Sequence, residues 1–410
     1  MKRVSIVSTG SELVHGHIAD ANAPFISARL FPTAFVVVAH HTVGDVPGDL
    51  RRVILSALDE TDIVILTGGL GPTEDDLSVE VVGGIFEAVP EVNQAALERA
   101  KAFFGAMGRE MLPGDIKMVS VPRGARILEN EVGLAPGFSL ERHGKVLIAL
   151  PGVPHEMRPM FQNRVEPYLF SLFPDGGRDS LTLRVVLMRE AEVNDLVAGM
   201  NIPFDSIEWG ITTSPGMNTV RFVARGSDPI PSESIMRQAA RLFGERMLHP
   251  SSLTLEDEIV RLLGERGLSL ALAESCTGGL VAKRITDVPG ASLVFRGGVV
   301  AYSNDVKSNV LDVSREVLDT FGAVSEPTAL AMARGALRVL RADIAAAVTG
   351  IAGPGGGTET KPVGTVCFAF AGMTADRAFT RTIPGARERV RMLSSQYVLD
   401  GIRKFIHSMK

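Results

Sequence analysis

Over residues 1–172, short aliphatic runs alternate with stretches whose apolar positions recur at helical spacing. Val4–Val7, Ala34–Ala39, Ile63–Leu66 and Val146–Leu150 have strand length and are bounded by Gly, Pro or polar residues, so they predict buried strands. Gly48–Leu58 and Gln94–Met107 lie between them with amphipathic spacing. Strands alternating with helices predict a parallel α/β sheet with helices on both faces. Ligands in such sheets bind beyond the carboxyl ends of the strands. This chain places Thr9-Gly10-Ser11-Glu12, Thr67-Gly68-Gly69 and Pro151-Gly152 there.

The run from Phe173 to Asp179, rich in Pro, Gly and Asp, breaks the rhythm and reads as a linker. Beyond it, Ser180–Leu187 and Asn218–Ala224 alternate with strand period and two helical segments accompany them. They predict a small α+β module over residues 178–249. His249-Pro250-Ser251-Ser252 marks the next boundary, and Thr254 is placed to cap the helix that follows. Residues 253–410 return to α/β patterning rich in Gly and Ala. There Leu268–Ala273, Gly298–Tyr302 and Ala345–Val348 read as strands and Leu280–Ile285 as a helix.

Composition narrows the picture only in places. Of 410 residues, 45% are apolar and 22% charged, an ordinary globular balance. A net charge of -5 and 6% aromatic residues argue against direct nucleic-acid binding, which favours basic faces and stacking rings. The two cysteines, Cys276 and Cys367, form no CxxC or Cys/His pattern. Neither a disulfide framework nor structural zinc is expected. The apolar run after Met1-Lys2-Arg3 is too short for a signal segment, and no stretch reaches the ~20 apolar residues of a membrane span. A cytoplasmic protein with no membrane partner is expected.

Chemistry-bearing residues crowd the turns of residues 253–410. The strand ending at Ala273 empties into Glu274-Ser275-Cys276-Thr277-Gly278-Gly279, just ahead of a helix. Small residues at such a turn expose N–H groups and a positive helix end, which suits a phosphate or an oxyanion. Pro289-Gly290-Ala291-Ser292, Tyr302-Ser303-Asn304-Asp305-Val306-Lys307, Thr349-Gly350-Ile351-Ala352-Gly353 and the basic run Arg387-Glu388-Arg389-Val390-Arg391 follow. Chain reversal accounts for any one glycine-rich turn. Three of them, with Ser, Tyr and Lys at strand ends, point to a phosphate-bearing ligand and a hydroxyl nucleophile. No GxSxG elbow or P-loop is present, and no His is placed to serve a serine. A Ser–Lys pair is the natural alternative, with a partly desolvated lysine as base. From the residues alone, Ser275 at the helix start and Ser292 after Pro-Gly both remain candidates.

Ala273–Gly279, Gly290–Ser292, Tyr302–Asn304 with Lys307, Gly322–Glu326 and Thr349–Pro354 together resemble the CinA C-terminal domain. The likeness covers essentially all of residues 253–410. That family includes nicotinamide-nucleotide amidases, which convert nicotinamide mononucleotide to nicotinic acid mononucleotide and ammonia and need no cofactor. The resemblance implies Ser292 as nucleophile and Lys307 as its activating base. It implies Tyr302, Ser275 and Thr349 around the substrate or oxyanion, with Thr277, Gly278, Gly350 and Gly353 in the same cradle. Arg387 or a neighbouring Arg resembles the contact to the 5′-phosphate.

In residues 1–172, Glu12, Asp75, Asp76 and Glu156 fall just past strand ends and can converge on one crevice with Gly10, Asn22, Gly68, Gly69 and Gly71. Hard oxygen ligands beside phosphate-binding glycines suit Mg²⁺ and a diphosphate. Taken singly, Asp75-Asp76 equally suits a helix cap. About residues 1–170, and Thr67–Asp76 above all, resemble the CinA N-terminal domain, which shares its fold with molybdopterin-binding proteins. Some relatives hydrolyse ADP-ribose with a divalent metal. The likeness implies the four carboxylates as metal ligands and the glycines and Asn22 as nucleotide contacts. No Nudix helix is present, and Asp115-Ile116-Lys117-Met118 stands where the family has Asn-x-Lys-Gln.

The chain is thus expected to be an enzyme of pyridine-nucleotide salvage: an amidase in residues 253–410 and an ADP-ribose pyrophosphatase in residues 1–172. The alternatives are a molybdopterin-binding protein and a non-enzymatic competence protein that works through a recombination-protein partner. The family's habit implies a homodimer.

Overall fold

The computed structural model describes residues 1–409 except 32, 174–176, 227 and 374. The centre of the linker expected at Phe173–Asp179 lies outside the described residues. The chain divides into two compact units, Met1–Asp179 with Ala224–Pro229, and Ser180–Val223 with Ile230–Lys410.

In the first unit the four strands read from the sequence stand side by side and parallel, in the order Phe35–Val43, Lys2–Thr9, Ile63–Thr67, Lys145–Leu150. Alternate side chains leave on opposite faces. Val4, Ile6, Ile63, Ile65 and Ile148 pack on the side of helices Asn22–Leu30 and Pro154–Met160. Val7, Val64, Leu66 and Leu147 pack on the side of Pro47–Glu60 and Ser78–Phe86. Burial on both faces is why these strands are continuous apolar runs. The sheet is mixed rather than wholly parallel, because Gly137–Arg142 and Arg126–Leu128 extend one edge antiparallel. The reversal is made at His143-Gly144, both at positive φ (51° and 74°), the two-residue turn that suits the twist of a hairpin.

The second unit holds a five-stranded sheet in the order Phe295–Val300, Leu270–Glu274, Ile344–Gly350, Thr365–Gly372, Asp376–Thr382, the first three parallel and the last two antiparallel. One face is large and apolar: Leu270, Leu272, Ile344, Val348, Phe368 and Phe370 lie under helices Leu255–Arg266 and Arg387–Ser408. The other is alanine: Ala271, Ala273, Ala345, Ala347 and Ala369. Small side chains let helix Glu326–Leu340 lie close on that face. The expected cap forms at Thr254, whose hydroxyl accepts the Asp257 N–H at 3.1 Å while Asp257 accepts the Thr254 N–H at 2.9 Å.

The small α+β module contributes the sheet Ile207–Ser214, Met217–Ala224, Ser180–Val186 and the helices Glu190–Ala198 and Ser232–Phe243. Most of it packs in the same unit as the C-terminal sheet. Arg403, 3% exposed, donates to the carbonyls of Glu245 and Met247 while pairing with Asp400 at 2.7 Å and Glu258 at 3.4 Å. Among the described residues, no helix is long and apolar enough to cross a membrane.

Gly335 tests how closely helix Glu326–Leu340 packs on the end of helix Asn304–Leu311. Alanine normally stabilises a helix interior by ~1 kcal/mol relative to glycine. A Cβ on Gly335 would stand 2.1 Å from the Leu311 carbonyl, so Gly335→Ala is expected to lower stability by about 1–3 kcal/mol. A thermal melt checks this, and a raised midpoint would contradict it.

Candidate active site

Three parallel strands of the second unit end at one level. Glu274 is registered against Val300 on one side and Val348 on the other, so residues 275 and 301–302 leave the sheet beside Thr349 and Gly350, the last residues of the central strand, at its carboxyl edge. The Ser275 N–H donates to Val348 O at 2.9 Å, and the Ala301 N–H donates to Glu274 O at 2.8 Å. Helix Asn304–Leu311 begins immediately afterwards, its N-terminus capped by the Ser303 hydroxyl accepting from Val306 N at 3.3 Å. Its first turn carries Lys307 back toward the strand ends.

Lys307 is 1% exposed. Its Nζ lies 3.2 Å from Ser275 Oγ, 2.7 Å from the Ala301 carbonyl and 3.4 Å from the Tyr302 carbonyl. All three neighbours are neutral. Burial pushes the Lys307 amine below its ordinary value. The amine donates to two carbonyls and one hydroxyl, the three acceptors that its three N–H groups can use. Loss of one proton leaves a lone pair 3.2 Å from the Ser275 oxygen, so the two groups can act as base and nucleophile.

The turn after Ser275 depends on Gly278 and Gly279, at φ +61° and +90°, where a side chain is disfavoured. Apart from the Cys276 N–H reaching its own thiol, the N–H groups of Cys276 and Thr277 have no acceptor among the described hydrogen bonds. They adjoin the serine, where an oxyanion hole needs its donors. The neighbouring Cys276 thiol is buried and pushed up to about 12, chiefly by desolvation, so it is not a competing nucleophile.

The open helix end expected after this turn is already filled from within. Glu274, 2% exposed, accepts the N–H groups of Gly279 at 2.9 Å, Val281 at 3.1 Å and Ala282 at 2.8 Å. Helix Leu280–Thr286 therefore presents no vacant anion cradle. The basic groups at this edge of the sheet come from the start of helix Arg387–Ser408. Arg387 donates to Gly353 O at 2.8 Å and to Tyr302 Oη at 3.0 Å. One turn later Arg391 donates to Thr277 O at 2.7 Å. The Thr349 hydroxyl, next to Gly350, spends its proton on Ala323 O at 2.8 Å.

Ser292 is the exception among the expected residues, and its role as partner of Lys307 is corrected. It lies exposed in the turn Ala291–Leu293, ahead of strand Phe295–Val300. Val294 pairs with Leu270 at the amino edge of the sheet, whereas Lys307 belongs to the carboxyl edge. A six-residue strand separates those edges by roughly 20 Å.

The first unit gathers its expected residues in a single cleft of about 760 Å³ at the strand ends. Glu12, Asp75, Asp76 and Glu156 line it, as do Gly10, Asn22, Gly68, Gly69 and Gly71. Asn22 Nδ2 donates to Gly152 O at 2.7 Å, while its buried Oδ1 has no partner among the described residues. Asp20 and Asp45 add two further carboxylates, and no Lys or Arg is among the described lining residues. The four expected metal ligands do not assemble. Asp76 closes its own loop on the Thr73 N–H at 2.9 Å. Glu156 accepts from Asn130 at 2.8 Å. Among the described residues, no three His, Cys, Asp or Glu side chains are grouped to hold a metal ion. As placed, the residues do not fit a resident divalent ion.

Residues 252–406 match the family model described as CinA C-terminal domain, and residues 5–171 match the one described as "Probable molybdopterin binding domain". A CinA-like protein of Dictyoglomus turgidum is 37% identical over 415 residues, with 98% of each chain covered. The chain belongs to the CinA family. A CinA-like protein of Geotalea uraniireducens is also 37% identical over 415 residues, covering 100% of this chain and 98% of its own. Among solved structures, the competence/damage inducible protein CihA from Agrobacterium tumefaciens is 42% identical, covering 38% of this chain and 94% of its own, with a TM-score of 0.37.

Within this CinA-family chain, sequence reasoning missed Glu274, which saturates the helix end, and Arg391, which ties the nucleophile turn. The signal for Glu274 was its place as last residue of a strand with two glycines opening the next helix. For Arg391 it was the spacing of four from Arg387, which puts both on one helix face.

Proposed function

We propose that residues 253–410 hydrolyse the carboxamide of nicotinamide mononucleotide to the carboxylate and ammonia, with Ser275 as nucleophile and Lys307 as base. The observation that carries this reading is the desolvated amine 3.2 Å from the Ser275 hydroxyl. The choice of substrate is supported by the resemblance of the surrounding turns to the CinA amidases.

Ser275 Oγ attacks the amide carbon and its proton passes to the Lys307 amine. The resulting oxyanion faces the Cys276 and Thr277 N–H groups, each able to contribute ~3 kcal/mol in such a role. As the C–N bond breaks, Lys307 returns the proton to the leaving nitrogen, which departs as ammonia. Water then attacks the acyl-enzyme, with Lys307 again accepting the proton, and the acid and free serine are regenerated. Arg387 stands at the open side of the site beside Tyr302, where the guanidinium can meet the 5′-phosphate.

Ammonia release from nicotinamide mononucleotide is expected to fall by at least about a thousandfold in Ser275→Ala and to stay within about twofold of wild type in Ser292→Ala. The reverse ranking would sink the serine assignment, and no release by the wild-type chain would sink the amidase. The pH dependence has a definite sign. Lys307 acts in its neutral form, so kcat/KM should be lost as pH falls through its depressed pKa and should level off below 10.5, the ordinary lysine value. A rate still climbing through that value would show that Lys307 is not the base.

A second reading concerns the first unit. Its cleft has the volume of a small-molecule site, and Asn22 Oδ1 is a buried acceptor in its wall awaiting a donor. We infer that it takes a nucleotide of ADP-ribose size, whose hydrolysis is the further activity the family resemblance implies. With carboxylates and no Lys or Arg among the described walls, a bare diphosphate is repelled, so ADP-ribose should bind more tightly with Mg²⁺ than without it. Calorimetry with and without Mg²⁺ checks this, and absence of binding in both would overturn it.

A further inference from the structure

Glu274 does more than fill a helix end. It is the last residue of strand Leu270–Glu274, and its carboxylate reaches over the Ser275–Gly278 segment to the far side of the turn. One end of the segment is fixed by the sheet and the other by three charge-assisted hydrogen bonds, so the nucleophile turn is closed into a ring. The remaining ties are single: Ser275 N to Val348 O, Gly278 N to Ser275 O, Leu280 N to Thr277 O, Lys283 N to Gly279 O, and Arg391 to Thr277 O. At the Gly279 end they come only from Leu280 and Lys283, both in the short helix that follows. Helix Leu280–Thr286 has seven residues, too few to hold its own start in place. Among the described ion pairs Glu274 has no cationic partner, so its acceptors are spent wholly on these backbone donors.

We propose that Glu274 is the positioning residue of the nucleophile turn, holding Ser275 Oγ toward Lys307 while leaving the Cys276 and Thr277 N–H groups free. In occupying the helix end it also excludes an anion from that point, so the substrate enters this turn with its uncharged amide. The catalytic part of the proposal rests on the amidase reading above.

The test uses the full chain with Glu274→Gln and Glu274→Ala. Each variant is read two ways: steady-state ammonia release from nicotinamide mononucleotide, and iodoacetamide labelling of the two cysteines resolved by peptide mass. Cys276 lies in the turn and Cys367 outside it, in strand Thr365–Gly372 where it is registered against Thr349, and both are buried. Cys367 therefore reports general loosening. A displaced turn should lower kcat roughly 10–100-fold with KM within about threefold, and should raise the labelling of Cys276 relative to Cys367 by at least about tenfold. Both cysteines labelling in parallel, or kcat within twofold of wild type, would overturn the proposal. Because the labelling ratio needs no substrate, a wild-type chain that releases no ammonia sinks the amidase reading, while the ratio still decides whether Glu274 holds the turn.

Discussion

A lysine amine held out of water against a serine hydroxyl is the constraint around which the second unit is arranged. Burying an ammonium without a counter-charge costs several kcal/mol, and burial accordingly pushes the Lys307 amine below its ordinary value. The Ala301 and Tyr302 carbonyls and the Ser275 hydroxyl all accept from it. Those carbonyls stand there only because three parallel strands end in register. Lys307 arrives only because a helix starts directly after the strand that supplies them. The alanine face of the sheet and the aromatic face opposite it keep that edge rigid from both sides.

The two units solve the same topological problem with opposite electrostatics. Each opens its crevice beyond the carboxyl ends of parallel strands, where glycine turns bring backbone donors to the surface. In the second unit the one helix end that would bind an anion is filled by Glu274, and the charge available to a ligand is the Arg387 guanidinium. In the first unit six carboxylates face the cleft and no described lining residue is basic. The charge on offer to a ligand is thus basic at one crevice and acidic at the other.

Much of this was legible in the residues. Strands such as Ile63–Thr67 and Ile344–Gly350 are buried on both faces and therefore appear as unbroken apolar runs. The cap at Thr254 and the crowding of Ser275, Tyr302 and Lys307 at strand ends were equally visible. The antiparallel edge was not, because Phe138-Ser139-Leu140-Glu141 carries one wetter side and reads weakly as a strand. The choice between serines failed on geometry: sequence supplies the residue types but not the edge of the sheet on which each lies. Asp76 illustrates the same limit, since a ligand and a loop closure need the same carboxylate and only the fold shows that Thr73 has claimed it. Burial of Glu274 could not be read from its type at all.

The proposed chemistry requires Lys307, desolvated beside Ser275, to shed its proton more readily than an ordinary lysine. The direct measurement is an NMR titration of the full chain carrying ¹³C-labelled lysine, with the Lys307 resonance assigned by its loss in Lys307→Arg. The structure predicts a midpoint clearly below 10.5. A Lys307 resonance that titrates at or above that value would mean the amine is a charged structural donor, and the base would have to be sought elsewhere.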